Sequence, residues 1–305
     1  MNSTLNIYTQ HFGLTERPFS LVPDPAFVYW SGTHTRAYTI LEFGLLTRAP
    51  ITLVTGDVGT GKTTLVHHLL NSMSTEVRAG LVANAHGDRS ELLRWVLLAF
   101  GVPAGPHESY VDHFARFQDF LISEYAQGRR VVLIFDEAQN LAIDSLEELR
   151  MLTNINANKD ELLQLILVGQ PELRAVVQRP EMTQFAQRIS SAYHLSPMDA
   201  ETVQRYIEHR LQVVGATAQI FTPEACAYVH AKTGGVPRLV NKLCDLSMVY
   251  AFTKGVVWVD AETVEQVVND GVYFSVGTPA QPATDDRGTV PEFRRVRTPL
   301  NGWTE

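Results

Sequence analysis

The stretch from residue 51 to residue 65, ITLVTGDVGTGKTTL, decides the fold. It opens with five apolar or β-branched residues, a pattern typical of a short buried strand. Gly56 then starts the spacing G-x-x-x-x-G-K-[ST], which ends in Gly61-Lys62-Thr63, and helical periodicity follows over 62–73. A strand, a glycine-rich loop and a helix in this order predict a loop that binds phosphate groups.

The residue types of this loop suit nucleotide phosphates. Glycines let backbone N–H groups curl inward, and the start of a helix adds positive potential. Lys62 would reach the β- and γ-phosphates, and the Thr63 hydroxyl would be a ligand of Mg²⁺. The nucleotide-binding residues predicted from the loop are Gly56, Asp57, Val58, Gly59, Thr60, Gly61, Lys62, Thr63 and Thr64.

A second stretch, VVLIFDEAQNL at 131–141, runs from five apolar residues directly into Asp136 and Glu137. Two carboxylates at the end of a buried strand are costly unless a positive charge lies beside them. In phosphate-loop nucleotidases that charge is the metal, which Asp136 would hold through water while Glu137 activates or positions the attacking water. A kinase would use a phosphoryl acceptor instead of water, and the structural alternative makes Asp136 a helix N-cap.

The base is predicted to be adenine. Enzymes that bind GTP read guanine with an N-K-x-D motif, and the most similar string here, NKDE at 158–161, has its acid one position early. The predicted cofactors are therefore ATP and Mg²⁺.

Short apolar strands alternate with helical patterns through the first two thirds of the chain, which predicts a parallel α/β sheet covered on both faces. The predicted strands are 51–55, 80–83, 131–135 and 163–168, and the predicted helices are 62–73, 90–100, 111–126 and 145–157.

Helix signals dominate after residue 196. Ser196-Pro197 and Thr222-Pro223 each place an N-cap before proline, Pro237 opens a helix that ends at Gly255, and Asp260 caps another. Gly234-Gly235 would end the helix that starts at Pro223. The predicted domains are a nucleotide-binding domain at 1–196, a helical domain at 197–275 and a polar, disordered tail at 276–305.

Composition narrows the class of protein. The 305 residues are 45% hydrophobic and 19% charged, as in an ordinary globular chain, and the net charge is -8. An acidic chain has no overall field that attracts nucleic acid, although Arg294, Arg295 and Arg297 form a basic cluster. No apolar run reaches the roughly 20 residues of a membrane span. We therefore expect a cytoplasmic protein, with Cys226 and Cys244 as buried thiols, whose place at the inner membrane would depend on a partner.

Five motifs together resemble one family. The phosphate loop, DEAQ at 136–139, LILVGQPELR at 165–174, GGVPRLVNKLC at 234–244 and the opening HFGLTERPFSLVPDPAFVYWSGTH at 11–34 are similar to the AAA+ ATPases of the general secretion pathway protein A (ExeA-like) group. The resemblance implies an AAA+ type P-loop NTPase with a three-layer αβα sheet of five parallel strands, followed by a small all-helical lid. It also implies ATP hydrolysis within a ring-like homo-oligomer.

The resemblance also assigns roles. Gln170 resembles sensor 1, which orients the attacking water, and Arg238 resembles sensor 2, which contacts the γ-phosphate; the alternatives are a polar turn and a solvated helix start. Arg188 resembles the arginine finger that reaches a neighbouring subunit's nucleotide, with Arg174 and Arg179 as competitors. Residues placed by the resemblance in the adenine pocket are Phe12, Pro18 and Phe19.

Three functions compete at this point. The first is an ATP-driven motor or switch with a protein partner in an envelope export or assembly system. The second is a transposition-type AAA+ regulator that acts on DNA, which the acidic composition disfavours. The third is a nucleotide-sensing adaptor without hydrolysis, against which Lys62, Asp136, Glu137 and Arg238 all argue.

Overall fold

A computed structural model describes residues 8–22, 24–83, 89–105, 108–157 and 159–273. Its elements are α1 Gly32–Leu46, β1 Ile51–Gly56, α2 Lys62–Ser72, β2 Val77–Ala83, α3 Arg89–Ala99, α4 Tyr110–Ala126, β3 Arg130–Asp136, α5 Ile143–Leu152, β4 Asn156–Ala157, β5 Asp160–Glu161, β6 Leu163–Gly169, α6 Pro171–Val177, α7 Thr183–Arg188, β7 Ile189–Leu195, α8 Ala200–Val213, α9 Pro223–Thr233, α10 Pro237–Lys254 and α11 Ala261–Asn269.

Five parallel strands form the main sheet in the order β2-β3-β6-β1-β7. Every residue of β1 and β6 is buried, and so is every residue of β3 after Arg130. A strand covered on both faces is apolar along its whole length rather than alternating, which is why these three were visible in the sequence. The predicted parallel α/β sheet is confirmed.

Helices cover both faces of this sheet. On one face, α3, α4 and α5 bury Leu97, Phe117 and Leu149 against Leu133 and Leu165. On the other face, apolar residues of α1 and α2 pack against the residues of β1, β3 and β6 that point that way. The three layers therefore follow from the apolar helix stripes and the apolar strands together.

The strand register brings the carboxyl ends of the central strands to one edge of the sheet. Thr55 pairs with Gly169, and Gly56 pairs with Leu195 on the other side of β1. The phosphate loop, the two acids at the end of β3 and the residue after β6 therefore lie side by side, where open α/β sheets bind their ligands.

Helices α8 to α11 pack around a separate apolar cluster, which also takes in Tyr8 and Phe19 from the start of the chain. Thr222 and Asp260 each accept a hydrogen bond from the N–H three residues later, and Gly234 and Gly255 end α9 and α10 in the left-handed conformation. These predicted caps are confirmed.

Two predicted helix boundaries are wrong. Helix α8 begins at Ala200, because the Asp199 carboxylate accepts from the Thr202 N–H, and Ser196 does not cap it. Helix α5 ends at Leu152, well before the predicted 157. Ile155 is buried although it follows the end of the helix. Its carbonyl oxygen accepts a hydrogen bond from the Leu162 N–H, which closes the β4-β5 hairpin.

The expectations for the cysteines and for membrane spans can be compared with the structure, whereas those for the domain boundary and the tail stay predictions. Both cysteines are buried and free, and no helix of the described ranges is long and apolar enough to cross a membrane. The boundary at 196/197 stays a prediction, since the chain up to Tyr273 forms one compact unit. The predicted tail at 276–305, with its arginine cluster, lies outside the described residues.

Candidate functional site

The loop between β1 and α2 adopts a conformation that requires its glycines. Gly59 and Gly61 have φ values of 82° and 96°, which side-chain-bearing residues rarely adopt. A Cβ on Gly56 would lie 2.7 Å from the Leu195 carbonyl oxygen, and one on Gly59 would lie 2.7 Å from Cβ of Arg238. The loop is therefore packed against β7 on one side and α10 on the other.

Lys62 is the first residue of α2, and its side chain reaches back into this loop and is 5% exposed. Its Nζ donates to the carbonyl oxygens of Gly56 and Asp57, at 2.7 and 2.9 Å. Burial lowers the pKa of the ammonium, and the carboxylates of Glu137 and Asp136 act against that shift. A phosphate group would offer stronger acceptors than these two carbonyls, because charge-assisted hydrogen bonds exceed neutral ones.

Thr63 and Asp136 meet at the first turn of α2. The Thr63 hydroxyl donates to Oδ2 of Asp136 at 2.7 Å, while Oδ1 accepts from the Glu137 N–H at 2.9 Å. A hydroxyl and a carboxylate side by side are oxygen ligands, the type Mg²⁺ prefers, and Mg²⁺ commonly takes its other ligands from water and substrate phosphates. The described residues contain no group of three or more His, Cys, Asp or Glu that could hold a metal by themselves. The donor set therefore fits a Mg²⁺ ion that arrives with a nucleotide.

Glu137 is held in a fixed position. It has a φ of 55°, unusual for a residue with a side chain, and its Oε2 accepts from Nε2 of Gln139 at 2.6 Å and Nε2 of Gln170 at 3.3 Å. The Gln170 N–H in turn donates to Oε1 of Gln139 at 2.9 Å. Because a backbone N–H can only donate, this bond fixes which end of the Gln139 amide faces Glu137.

Gln139 is a site residue that the sequence reasoning missed. Its close fit depends on Gly169, where a Cβ would lie 2.9 Å from Oε1 of Gln139. The DEAQ string was the available signal, but periodicity alone does not show that its last residue bridges two strand ends.

Arg238 is the second residue of α10 and lies beside the phosphate loop. Its backbone N–H donates to the Gly59 carbonyl at 3.2 Å, and its side chain lines the same cleft as Lys62 and Glu137. The structure therefore brings Arg238 together with the loop and the acid pair.

His34 is a second residue that the sequence did not reveal. Its Nε2 lies 3.0 Å from the Thr60 carbonyl oxygen and its Nδ1 lies 2.6 Å from the Ser31 hydroxyl, so α1 is tied to the phosphate loop. Burial lowers the pKa of His34. A neutral imidazole therefore supports the loop near neutral pH.

The cleft itself has a volume of about 430 Å³. One wall is the phosphate loop, the second is formed by α8 and α10, and the third comes from the segment before α1. This third wall includes Val22, Phe27, Val28, Tyr29 and Trp30.

The residues that the resemblance placed around adenine, Phe12, Pro18 and Phe19, do not line this cleft. Phe19 is 1% exposed and packs edge-on against Phe221 in the core of the helical part. The Pro18 carbonyl oxygen accepts a hydrogen bond from Nε of Arg210, and the Phe12 ring packs against the Tyr8 ring. Both Pro18 and Phe19 are absent from the cleft lining, because the Pro-Phe pair is apolar enough to be drawn into the core.

Arg188 also lies away from the cleft. It ends α7 and forms an ion pair with Glu161 at 2.9 Å, and it donates to the side chain of Asn154. It precedes β7, so it lies at the amino edge of the sheet, opposite the phosphate loop. The structure does not bring Arg188 together with Lys62 and Glu137 of its own chain.

Comparison with known proteins identifies the same region. A family model described as an AAA domain matches residues 46–177, which contain the loop, both acids and Gln170. General secretion pathway protein A of Aeromonas hydrophila is 40% identical over 249 residues, covering 82% of this chain and 46% of that protein. The chain thus spans less than half the length of that relative.

Solved structures share the fold. Cdc6p from Pyrobaculum aerophilum superposes with a TM-score of 0.65 and 18% identity, covering 84% of this chain and 73% of that one. The ORC2 protein of Aeropyrum pernix, in ADPNP-ADP complexes, gives a TM-score of 0.63 at 18% identity, covering 84% and 71%. At this identity the likeness shows the fold alone, a parallel α/β sheet with helices on both faces followed by further helices.

Proposed function

Since this chain carries an AAA domain and is a relative of general secretion pathway protein A, we propose that it is an ATPase that binds ATP with Mg²⁺ in the 430 Å³ cleft and hydrolyses it. The observation that carries the proposal is the meeting of Lys62, Thr63, Asp136 and Glu137 at one edge of the sheet. In the proposed arrangement residues 1–196 bind the nucleotide and 197–275 form the lid over it.

The binding step uses the phosphate loop. Lys62 exchanges its two carbonyl acceptors for phosphate oxygens, and the backbone N–H groups of the loop and of the first turn of α2 donate to the same phosphates. Thr63 and Asp136 would hold Mg²⁺, which would supply positive charge near the phosphate oxygens. The third wall of the cleft, with Tyr29 and Trp30, would receive the base in place of Pro18 and Phe19.

The chemical step needs a water held in line with the γ-phosphate. We assign Glu137 to orient this water and accept its proton. Gln139 and Gln170 donate to the same carboxylate oxygen of Glu137, which leaves its Oε1 without a described partner and free to face the water. Gln170 would thus act as sensor 1 through its contact with Glu137.

Arg238 would contact the γ-phosphate and report the nucleotide state to the lid. The Arg238 N–H already donates to the Gly59 carbonyl of the loop. Helix α10, which carries Arg238, packs into the apolar cluster formed by α8 to α11. Loss of the γ-phosphate would therefore change the contacts of Arg238, and through this one residue the position of α10.

The first test removes the loop cation. Replacing Lys62 by Ala should weaken ATP binding by about a hundredfold or more, since a nearly buried charge that holds phosphates is lost. Isothermal titration with ATP and Mg²⁺ measures this Kd, and phosphate release measures turnover. Lys232→Ala, a lid residue stacked near Tyr228, is the control. If Lys62→Ala bound ATP as well as the unmodified chain does, the cleft would not be the nucleotide site.

We propose that the ATPase works as a homo-oligomer with a protein partner in an envelope export or assembly system, on the cytoplasmic side of the inner membrane. The support is its relative, named as a general secretion pathway protein, together with the AAA domain.

A DNA test separates this proposal from the alternative of a regulator that acts on DNA. Because the chain has a net charge of -8, we expect no several-fold rise in ATP turnover when duplex DNA is added at physiological salt. Phosphate release with and without DNA, at two salt concentrations, checks this. A strong stimulation that fades as salt rises would favour a regulator that acts on DNA.

A further inference from the structure

A buried arginine on the lid has no carboxylate partner among the residues that the structure describes. Arg210, on α8, is 6% exposed and lines the cleft. A buried charge is costly unless hydrogen bonds or an aromatic face compensate it. Arg210 has both hydrogen bonds and an aromatic face, which compensate the burial of its charge.

Arg210 holds the outer wall of the cleft. Its Nε donates to the Pro18 carbonyl at 2.5 Å, its Nη2 donates more weakly to the Ser20 carbonyl at 3.4 Å, and its guanidinium lies 4.7 Å from the centre of the Phe27 ring. Arg210 therefore joins the segment before α1 to the helical part at the cleft, in addition to the Arg17–Asp245 ion pair farther back in that segment.

The same arginine fixes a second side chain through Tyr206. Nη1 of Arg210 donates to the Tyr206 hydroxyl at 2.9 Å, and that hydroxyl donates to Oδ1 of Asn241 at 2.8 Å. Since the phenolic proton is used toward Asn241, the acceptor end of the Asn241 amide must face Tyr206. All three side chains are at most 7% exposed.

The nitrogen end of the Asn241 amide, Nδ2, is available to a ligand in the cleft. Asn241 lines the cleft, three residues after Arg238 on α10, and within the described ranges its Nδ2 has no hydrogen-bond acceptor. An amide whose oxygen is engaged offers only donors. This position can therefore recognise a ligand only at an acceptor atom.

We propose that Asn241 donates a hydrogen bond from Nδ2 to the nucleoside part of the bound nucleotide, with Tyr206 and Arg210 as the residues that position it. The proposal rests on the proposed nucleotide site. Neighbouring groups point to the nucleoside rather than the phosphates. Tyr206 lies edge-on to Tyr29, at 5.9 Å between ring centres, and Arg210 covers Phe27, so Asn241 adjoins the aromatic wall.

The test separates the nucleoside from the phosphates. Asn241→Leu keeps the side-chain size and removes the donor, and it should raise the Kd of ATP by about tenfold, the scale of a lost buried hydrogen bond. The Kd of inorganic triphosphate should stay within about twofold of its unmodified value, because Lys62 and the loop are untouched. Asn269→Leu, the same change at an exposed position on α11, is the control for ATP affinity.

Two further variants keep the test decisive if Asn241→Leu does not fold. Asn241→Asp preserves the acceptor for Tyr206 but cannot donate when ionised, so it should weaken ATP binding at least as much. Tyr206→Phe releases the amide to rotate and should weaken ATP binding by about threefold, with no change for triphosphate. Circular dichroism and thermal unfolding check that each variant is folded.

The outcomes are distinguishable. Unchanged ATP affinity in a folded Asn241 variant would overturn the proposal, and so would an equal loss for ATP and triphosphate in Asn241→Leu, which would indicate a distorted loop. Failure of the unmodified chain to bind ATP would instead overturn the nucleotide site itself.

Discussion

Replacing Glu137 by Gln should leave ATP bound with a near-normal Kd and lower kcat by about a hundredfold or more, the scale of losing a general base. Glutamine can still accept from Gln139 and Gln170 through its amide oxygen, so the local hydrogen bonds survive while the proton acceptor is lost. Lys62, Thr63 and Asp136 remain to hold the nucleotide. Titration gives the Kd, and single-turnover phosphate release gives the rate of the chemical step.

The control for this prediction is Glu172→Gln. Glu172 is exposed in the first turn of α6, and its carboxylate also acts on Lys62 electrostatically. The same substitution there removes one negative charge near the lysine without touching the proposed base, so turnover should change by less than about threefold. Wild-type turnover in Glu137→Gln would show that another group activates the water.

The phosphate loop and the acid pair could be predicted because their signals are local. Gly56 to Thr63 are continuous in the chain, and the glycines at 59 and 61 take the left-handed conformations that the loop requires. Asp136 ends β3 after the apolar run 131–135 and Glu137 follows it, so their place at the sheet edge could be predicted once the strand was recognised. Thr63 and Asp136 lie 73 residues apart, yet the parallel register brings them within one hydrogen bond.

The rest of the cleft could not be predicted in the same way. Its outer wall depends on contacts such as Arg210 with Pro18, which join residues 192 apart and leave no periodic trace in the sequence. Aromatic residues near the start of the chain were visible, but sequence alone does not tell which are core and which are wall. Phe19 lies in the core away from the cleft, Phe27 is in the same core cluster but also lines the cleft, and Tyr29 lines the cleft.

Arg188 can act on a nucleotide only from another subunit. It precedes β7 at Ile189, whereas the phosphate loop begins at Gly56, which pairs with Leu195 at the far end of that strand. Six residues of strand put them about 20 Å apart, beyond the reach of one side chain. In the single chain Arg188 is held by Glu161 and Asn154, so assembly would exchange a carboxylate partner for a phosphate one.

The consequence is a dependence of turnover on assembly. A finger supplied in trans can be worth about a thousandfold or more in rate, so specific activity should rise with protein concentration. Arg188→Ala should fold and bind ATP but hydrolyse it about a thousandfold more slowly. Arg150→Ala is the matched control, because Arg150 is likewise half-buried in an ion pair, with Glu147 at 2.8 Å, and has no proposed role at the site.

Mixing variants decides between a finger and a merely structural arginine. Arg188→Ala subunits keep an intact site, and Lys62→Ala subunits keep Arg188, so the mixture should recover activity that neither has alone. Replacing the second partner by the double variant Lys62→Ala/Arg188→Ala removes every finger and should abolish the recovery. If turnover were independent of concentration and the first mixture stayed inactive, Arg188 would be only the ion-pair partner of Glu161, and catalysis would be complete within one chain.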